Sequence, residues 1–300
     1  MISRRAFLKG AGAFFASGFG VGGYAFGVEP RRLAVTRYNV MPARWPAGLK
    51  LRIAALADIH ACEPWMSVER IEQIVDQTNR LGADLIVLLG DFAAGHRYVT
   101  QSVAPEAWSA ALSGLRAPLG AHAVMGNHDW WDDATAQRRG RGPVIGRRAL
   151  EKNGVPVYEN DAVRLKKDGI PFWLAGLGDQ LALLGSKHWG RRRIRGVDDL
   201  PATLAKVTDD APLILLAHEP DVFPKVPPRV SLTLSGHTHG GQVRLFGYAP
   251  VIPSRYGSRY AYGHVAEQER HLVVSGGLGC SIMPVRLGMP PEIVLVDVGT

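Results

Sequence analysis

Five times in this chain a short apolar run stops at a cluster of side chains that bind metals or move protons. Leu51–Ala57 runs into Asp58-Ile59-His60, Leu85–Leu89 into Gly90-Asp91, and Ala121–Met125 into Gly126-Asn127-His128-Asp129. Leu213–Ala217 runs into His218-Glu219-Pro220, and Ser231–Leu234 passes through Ser235 into Gly236-His237-Thr238-His239. Short apolar runs bounded by glycine and polar residues predict strands buried on both faces. In an open α/β sheet the strand ends converge on one rim, where ligands bind. Clusters spread from residue 58 to residue 239 can therefore meet in space.

The rest of the pattern supports an α/β fold. Pro171–Ala175, His271–Val274 and Ile293–Val298 read as further strands. Val68–Leu81 is the clearest helix, with Val68, Ile71, Ile74, Val75 and Leu81 on one face. Ser67 can cap its start and Gly82 can end it. Pro105–Leu115, Val144–Lys152 and Leu200–Val207 are weaker helical stretches. Beyond about residue 30 there is no repeat and no low-complexity linker, so residues 28–300 read as one domain. Apolar residues make up 46% of the chain and charged residues 21%, enough for a packed core. The two cysteines, Cys62 and Cys280, exclude a disulfide framework and a four-cysteine zinc site. A single Cys62–Cys280 bond and two free thiols both stay open.

The five clusters supply two carboxylates (Asp58, Asp91), four imidazoles (His60, His218, His237, His239) and one amide oxygen (Asn127). Hard oxygens mixed with borderline nitrogens suit Mn²⁺, Fe²⁺ or Zn²⁺ better than Ca²⁺ or copper. Seven ligands exceed one ion. They suit two divalent ions about 3.5–4 Å apart that share a carboxylate. His237 and His239 would share a face in a strand, whereas a glycine-rich loop would let them serve different ions. His96, His122, His188, His264 and His271 stand outside any motif. Trp130 and Trp131 either wall a cleft or pack inside. Gly276–Gly279 reads as a loop near the rim, since no helix pattern follows to make it a nucleotide cradle.

In this order, the five motifs resemble those of the calcineurin-like metallophosphoesterases over roughly residues 50–298. Gly236-His237-Thr238-His239-Gly240-Gly241-Gln242 and Pro291-Glu292-Ile293 resemble the bacterial YkuE/YaeI-type branch of exported phosphodiesterases. The resemblance implies a four-layer αββα sandwich with a dinuclear metal site. It implies that Asp58, His60, Asp91 and His239 hold one ion. Asp91, Asn127, His218 and His237 would hold the other, with Asp91 bridging. Two divalent cations, Mn²⁺ favoured, would acidify a shared water for attack on a phosphodiester or pyrophosphate. His128 would then stabilise the transition state or protonate the leaving group, and Asp129 would orient that imidazole. Where purple acid phosphatases carry Gly-Asp-x-x-Tyr, this chain has Asp91-Phe92-Ala93-Ala94, so a colourless divalent site is expected. Relatives that cleave UDP-2,3-diacylglucosamine give one alternative substrate, though a cytoplasmic one. A scaffold that binds metal without catalysis is the alternative from another class.

The N-terminus reads as an address. Ser3-Arg4-Arg5-Ala6-Phe7-Leu8-Lys9, followed by the uncharged stretch Gly10–Val28, resembles a twin-arginine export leader. Residues 1–27 are either removed on export or retained as a membrane anchor, with the domain periplasmic or on the outer face of the cytoplasmic membrane. The formal net charge of +8 is explained locally. The leader contributes three positive charges. Arg138, Arg139, Arg141, Arg147 and Arg148 contribute five, and Arg191, Arg192, Arg193 and Arg195 four, which leaves −4 elsewhere. That distribution argues against a nucleic-acid binder and admits contact with an anionic membrane surface. The expected partners are therefore the export machinery and a phosphoester, lipid-linked or soluble.

Overall fold

The computed structural model describes residues 20–188 and 191–300, with the side chains of residues 187–192 outside the description. The first strands are β1 (Ala34–Val40), β2 (Leu51–Leu56), β3 (Cys62–Glu63), β4 (Leu85–Leu88), β5 (Gln101–Ser102) and β6 (Ala121–Ala123). Then come β7 (Asp161–Lys167), β8 (Ile170–Gly176), β9 (Leu183–His188), β10 (Arg191–Arg195), β11 (Leu213–Leu216) and β12 (Leu232–Ser235). The last are β13 (Gly263–Glu267), β14 (Arg270–Val274) and β15 (Glu292–Val298). The helices are α1 (Val68–Asn79), α2 (Pro105–Leu112), α3 (Asn127–Trp131), α4 (Ala134–Arg139), α5 (Ile145–Lys152) and α6 (Leu200–Ala205).

Two sheets face each other, one ordered β1-β15-β2-β4-β6 and one β13-β14-β12-β11-β8-β7. In the first, β2, β4 and β6 run parallel and β15 runs antiparallel to β2. In the second, β8, β11, β12 and β14 run parallel, with β7 and β13 antiparallel at the edges. Alternation along each strand builds the layers. Ile53 and Ala55 of β2 meet Ile214 and Leu216 of β11 between the sheets. Ala54 and Leu56 turn outward onto Ile71 and Ile74 of α1, Trp108 of α2 and Leu150 of α5. Leu213 and Leu215 turn the other way onto Val222 and Phe223 of the 3₁₀ turn Pro220–Lys225. The expected αββα sandwich is thus the observed architecture.

α1 starts where expected, with the Ser67 hydroxyl accepting from the Arg70 N–H at 3.3 Å. At the N-terminus the twin-arginine motif, with Arg4, Arg5 and Lys9, lies outside the described residues. Residues 20–27 are helical. Arg286 N–H donates to the Ala25 carbonyl at 3.1 Å, and Met289 N–H to the buried Glu29 carboxylate at 2.7 Å. The boundary expected after residue 27 therefore falls inside a segment docked on the domain. No described helix is long and apolar enough to cross a membrane.

Candidate metal centre

The five strand-end clusters meet at one rim. Asp58 and His60 follow β2, Asp91 follows β4, Asn127 opens α3 after β6, His218 follows β11, and His237 and His239 follow β12. All seven side chains are buried. Asp58, His60, Asp91, His237 and His239 each adopt a left-handed backbone, with φ between 49° and 68°. Each such residue costs about 1–3 kcal/mol unless the surroundings hold it. Backbone hydrogen bonds do: Asp58 N–H donates to Gly90 and His60 N–H to Asp91, both at 3.0 Å. His237 N–H donates to both Asp58 carboxylate oxygens, at 3.0 and 3.1 Å. At Gly126 a Cβ would stand 2.4 Å from an Asp91 carboxylate oxygen, so only glycine lets the β4 and β6 loops close together.

Two groups result that could each hold a cation: Asp58, His60 and His239, and Asp91, His218 and His237. Asp91 Oδ2 lies 3.2 Å from His218 Nε2 and 3.7 Å from His60 Nε2, which puts it between them. The residues fit a cation because ring nitrogens and carboxylate oxygens crowd together here, with His60 Nε2 and His239 Nε2 only 3.1 Å apart. The His218 Nδ1 atom faces the Leu89 carbonyl at 2.6 Å and the His60 Nδ1 atom the Ala93 carbonyl at 2.8 Å. A carbonyl only accepts, so in the neutral rings those nitrogens carry the protons and Nε2 is left bare. Bare Nε2 of His218 then faces a carboxylate oxygen, an arrangement that demands a proton or a metal. The same logic at Pro253, whose carbonyl is 3.0 Å from His237 Nε2, frees Nδ1 of His237. Asn127 Oδ1 is buried with no hydrogen-bond partner.

Burial and the charges packed against one another together set the protonation of the metal-free centre. It pushes Asp58 up to about 7, with Asp91 adding to the rise and His218 opposing it. Burial pushes His60 down to about 3. Burial also disfavours a charged His218, but Asp91 overrides it and holds that imidazole well above its ordinary value. Reciprocally, burial would raise Asp91, yet His218, His128 and His60 hold it well below the usual carboxylate range.

A family model for calcineurin-like phosphoesterases matches residues 51–241, which takes in all five clusters. The chain belongs to that family. It is a phosphoester hydrolase by that membership. It is 32% identical to an uncharacterized metallophosphoesterase, YkuE, of Bacillus subtilis, over 98% of this chain and 96% of that one. It is 31% identical to the phosphodiesterase YaeI of Escherichia coli, over 99% of each chain. The crystal structure of a dimetal phosphatase from Danio rerio aligns with 76% of this chain and 88% of that one. Its TM-score of 0.39 and 13% identity are too distant to assign anything here.

Around the phosphoesterase centre, one sequence-based role needs correction. Asp129 does not orient the His128 ring. Its carboxylate accepts from four backbone N–H groups, those of Asp91, Phe92, Ala93 and Gly126, at 2.8–3.0 Å. It clamps the loop that carries Asp91. His128 instead sets its ring edge-on to His60 and against Trp131, both with centroids 5.0 Å away, and lines a cleft of about 490 Å³. The tryptophan pair divides: Trp130 is fully buried, while Trp131 lines the cleft and bonds the Leu181 carbonyl. Cys62 and Cys280 are free, buried thiols.

Gly276–Gly279 backs the centre. A Cβ on Gly277 would stand 2.8 Å from that of Asp58. Arg286 holds this loop, fully buried, donating to the carbonyls of Gly276, Gly279 and Met289. Sequence reasoning missed Arg286, because an arginine 47 residues after His239 belongs to no motif. It also missed Asp179 and Glu219 as a buried acid pair; each keeps one oxygen without a partner. Gln180, next to Asp179 in sequence, donates its N–H to Glu219 at 3.1 Å.

Proposed function

We propose that this phosphoesterase hydrolyses phosphodiesters, or pyrophosphates, with two divalent cations, Mn²⁺ favoured, on an exported or membrane-associated substrate. The observation that carries this reading is Asp91, whose Oδ2 sits between the two groups of buried donors. Asp58, His60 and His239 would hold one cation; His218, His237 and the orphaned Asn127 oxygen would hold the other; Asp91 would serve both. Bound there, the cations would supply charge to clamp the phosphoryl oxygens and an acidified water.

The chain's own groups do the rest. Asp129 fixes the Asp91 loop, and the Asp58 carboxylate fixes His237 through its N–H. Arg286 holds the glycine loop against Asp58. His128, at the cleft wall, would give a proton to the departing oxygen. The name of the YaeI relative, a phosphodiesterase, favours diesters over monoesters. The N-terminal sequence supports export by the twin-arginine route.

The test assays the full chain with Mn²⁺ on an aryl phosphodiester and an aryl phosphomonoester side by side. Turnover of the diester, abolished by chelation and restored by Mn²⁺, is expected. Hydrolysis of the monoester alone would contradict the diester reading. Bound metal with no hydrolysis of either ester would revive the scaffold.

A further inference from the structure

Beside the polar metal centre lies a wall of a different kind. The cleft is bounded by Trp131, Val243, Val251, Pro253, Met283 and Val285. The lip formed by the chain between its lining residues Val243 and Val251 is more unusual. Leu245 and Tyr248 exchange two backbone hydrogen bonds at 2.9 Å and close a tight hairpin. Its turn presents Phe246 fully to solvent, with Tyr248 72% exposed beside it. Val251, at 60%, and Ile282, at 65%, continue the apolar lip into the cleft. Ile282 does so with φ at 65°, a costly conformation for a β-branched residue. Single exposed apolar residues are ordinary, but several together at a cleft mouth mark an interaction surface.

Two more observations say what covers it. The first is charge. α4 follows directly on α3, whose Trp131 lines the cleft, and Gln137 of α4 bonds Ala182 and Leu184 at the start of the β9–β10 hairpin. α4, the residues just after it and β10 carry exposed Arg138, Arg139, Arg141, Arg193 and Arg195. None of these five pairs with a described carboxylate; the nearby pairs are Arg147–Glu151 and Arg148–Asp133. The second is the chain's own approach. The docked N-terminal segment binds Arg286 and Met289, just past Met283 and Val285 of the cleft wall. The described end of the uncharged stretch, residues 20–28, therefore joins the fold beside the same mouth.

We propose that the mouth of the cleft docks on an anionic lipid bilayer, and that the cleft receives the hydrocarbon chain of a lipid phosphoester drawn from it. The lip supplies aromatic and aliphatic side chains at interfacial depth, and the arginine wall meets the anionic headgroups. The phosphoester then lies against the metal centre while its chain lies along the apolar wall. This deepens the phosphodiesterase reading and rests on it for the reaction, though not for the docking.

The docking is tested on the full chain with a solvent-sensitive fluorophore at Phe246→Cys, and at Lys50→Cys as a control. Lys50 lies at the opposite end of β2 from the metal centre. Cys62 and Cys280 are buried and leave the label specific. With phosphatidylglycerol vesicles, the label at 246 should shift to the blue and brighten severalfold, while the label at 50 stays unchanged. No change at 246, or equal changes at both, would overturn the docking. The apolar chain is tested with ethyl, butyl and octyl phosphate as inhibitors of the soluble aryl diester. The inhibition constant should fall by about tenfold or more from ethyl to octyl. Equal constants would overturn it. Should the metal-loaded protein turn over no diester, the hydrolase reading fails. The vesicle result still decides the docking, and calorimetric binding of the same phosphates decides the cleft.

Discussion

Both ends of the central strands carry clustered charge, and only one end has the marks of a reaction centre. At the end opposite the metals, Arg52 pairs with Asp297 at 2.7 Å and Lys167 with Asp84 at 2.8 Å, around an open cavity of about 400 Å³. Those groups face water and each has its partner. The left-handed residue there, Asp168, sits in an Asp-Gly hairpin turn, where that conformation is ordinary. At the catalytic end the side chains are buried, five backbones are left-handed, Asn127 Oδ1 has no hydrogen-bond partner, and His218 Nε2 faces the Asp91 carboxylate at 3.2 Å. Clustering of charge does not identify a site. Burial, held strain and unspent lone pairs together do.

The contrast is broken or sharpened by substitution at each end. The largest effect is expected at Asp91. Asp91→Ala should remove the shared carboxylate, lose bound metal and lower diester turnover by more than about 10³-fold. Near-normal turnover would mean the two groups do not act together. His128→Ala should keep both metals and lose about 10²–10⁴-fold in turnover, most on esters with poor leaving groups. A loss independent of leaving group would remove its role as proton donor.

A smaller effect concerns the acid pair behind the centre. Burial, with Glu219 close by, raises the Asp179 carboxyl well above its ordinary value. The folded chain therefore keeps a proton at pH values where the unfolded chain has released it. The stability this contributes is greatest at low pH and falls as pH rises from the ordinary carboxylate range toward the raised folded value. The slope is about 1.4 kcal/mol per pH unit for one proton. In metal-free protein, Asp179→Asn should flatten the fall of the thermal midpoint between pH 5 and 8. An unchanged slope would show that this carboxyl is already ionised. The smallest effect belongs to the opposite end: Lys167→Ala should cost at most about 1 kcal/mol and leave turnover unchanged.

The central strands were legible because they are buried on both faces. β2, β4, β11 and β12 appear in sequence as apolar runs, and the structure ends each within about a residue of the expected point. The edge strands were not. β1 reads Ala-Val-Thr-Arg-Tyr-Asn-Val and β7 Asp-Ala-Val-Arg-Leu-Lys-Lys, with one face toward solvent, as edge strands require. The ligand-type residues were legible because each follows its strand directly. Asp129 misled because adjacency to His128 in sequence suggested contact, whereas α3 turns its carboxylate back onto the Asp91 loop. Arg286 and the apolar lip are products of tertiary folding, built from loops whose residues carry no local signature.

The most direct test of the two-cation centre is its stoichiometry. Protein purified, stripped and reloaded with Mn²⁺ should hold two equivalents per chain by elemental analysis, with Mn–Mn coupling visible by electron paramagnetic resonance. His218→Ala should retain one equivalent and lose the coupling. A single uncoupled equivalent in the unsubstituted protein would contradict the shared role of Asp91.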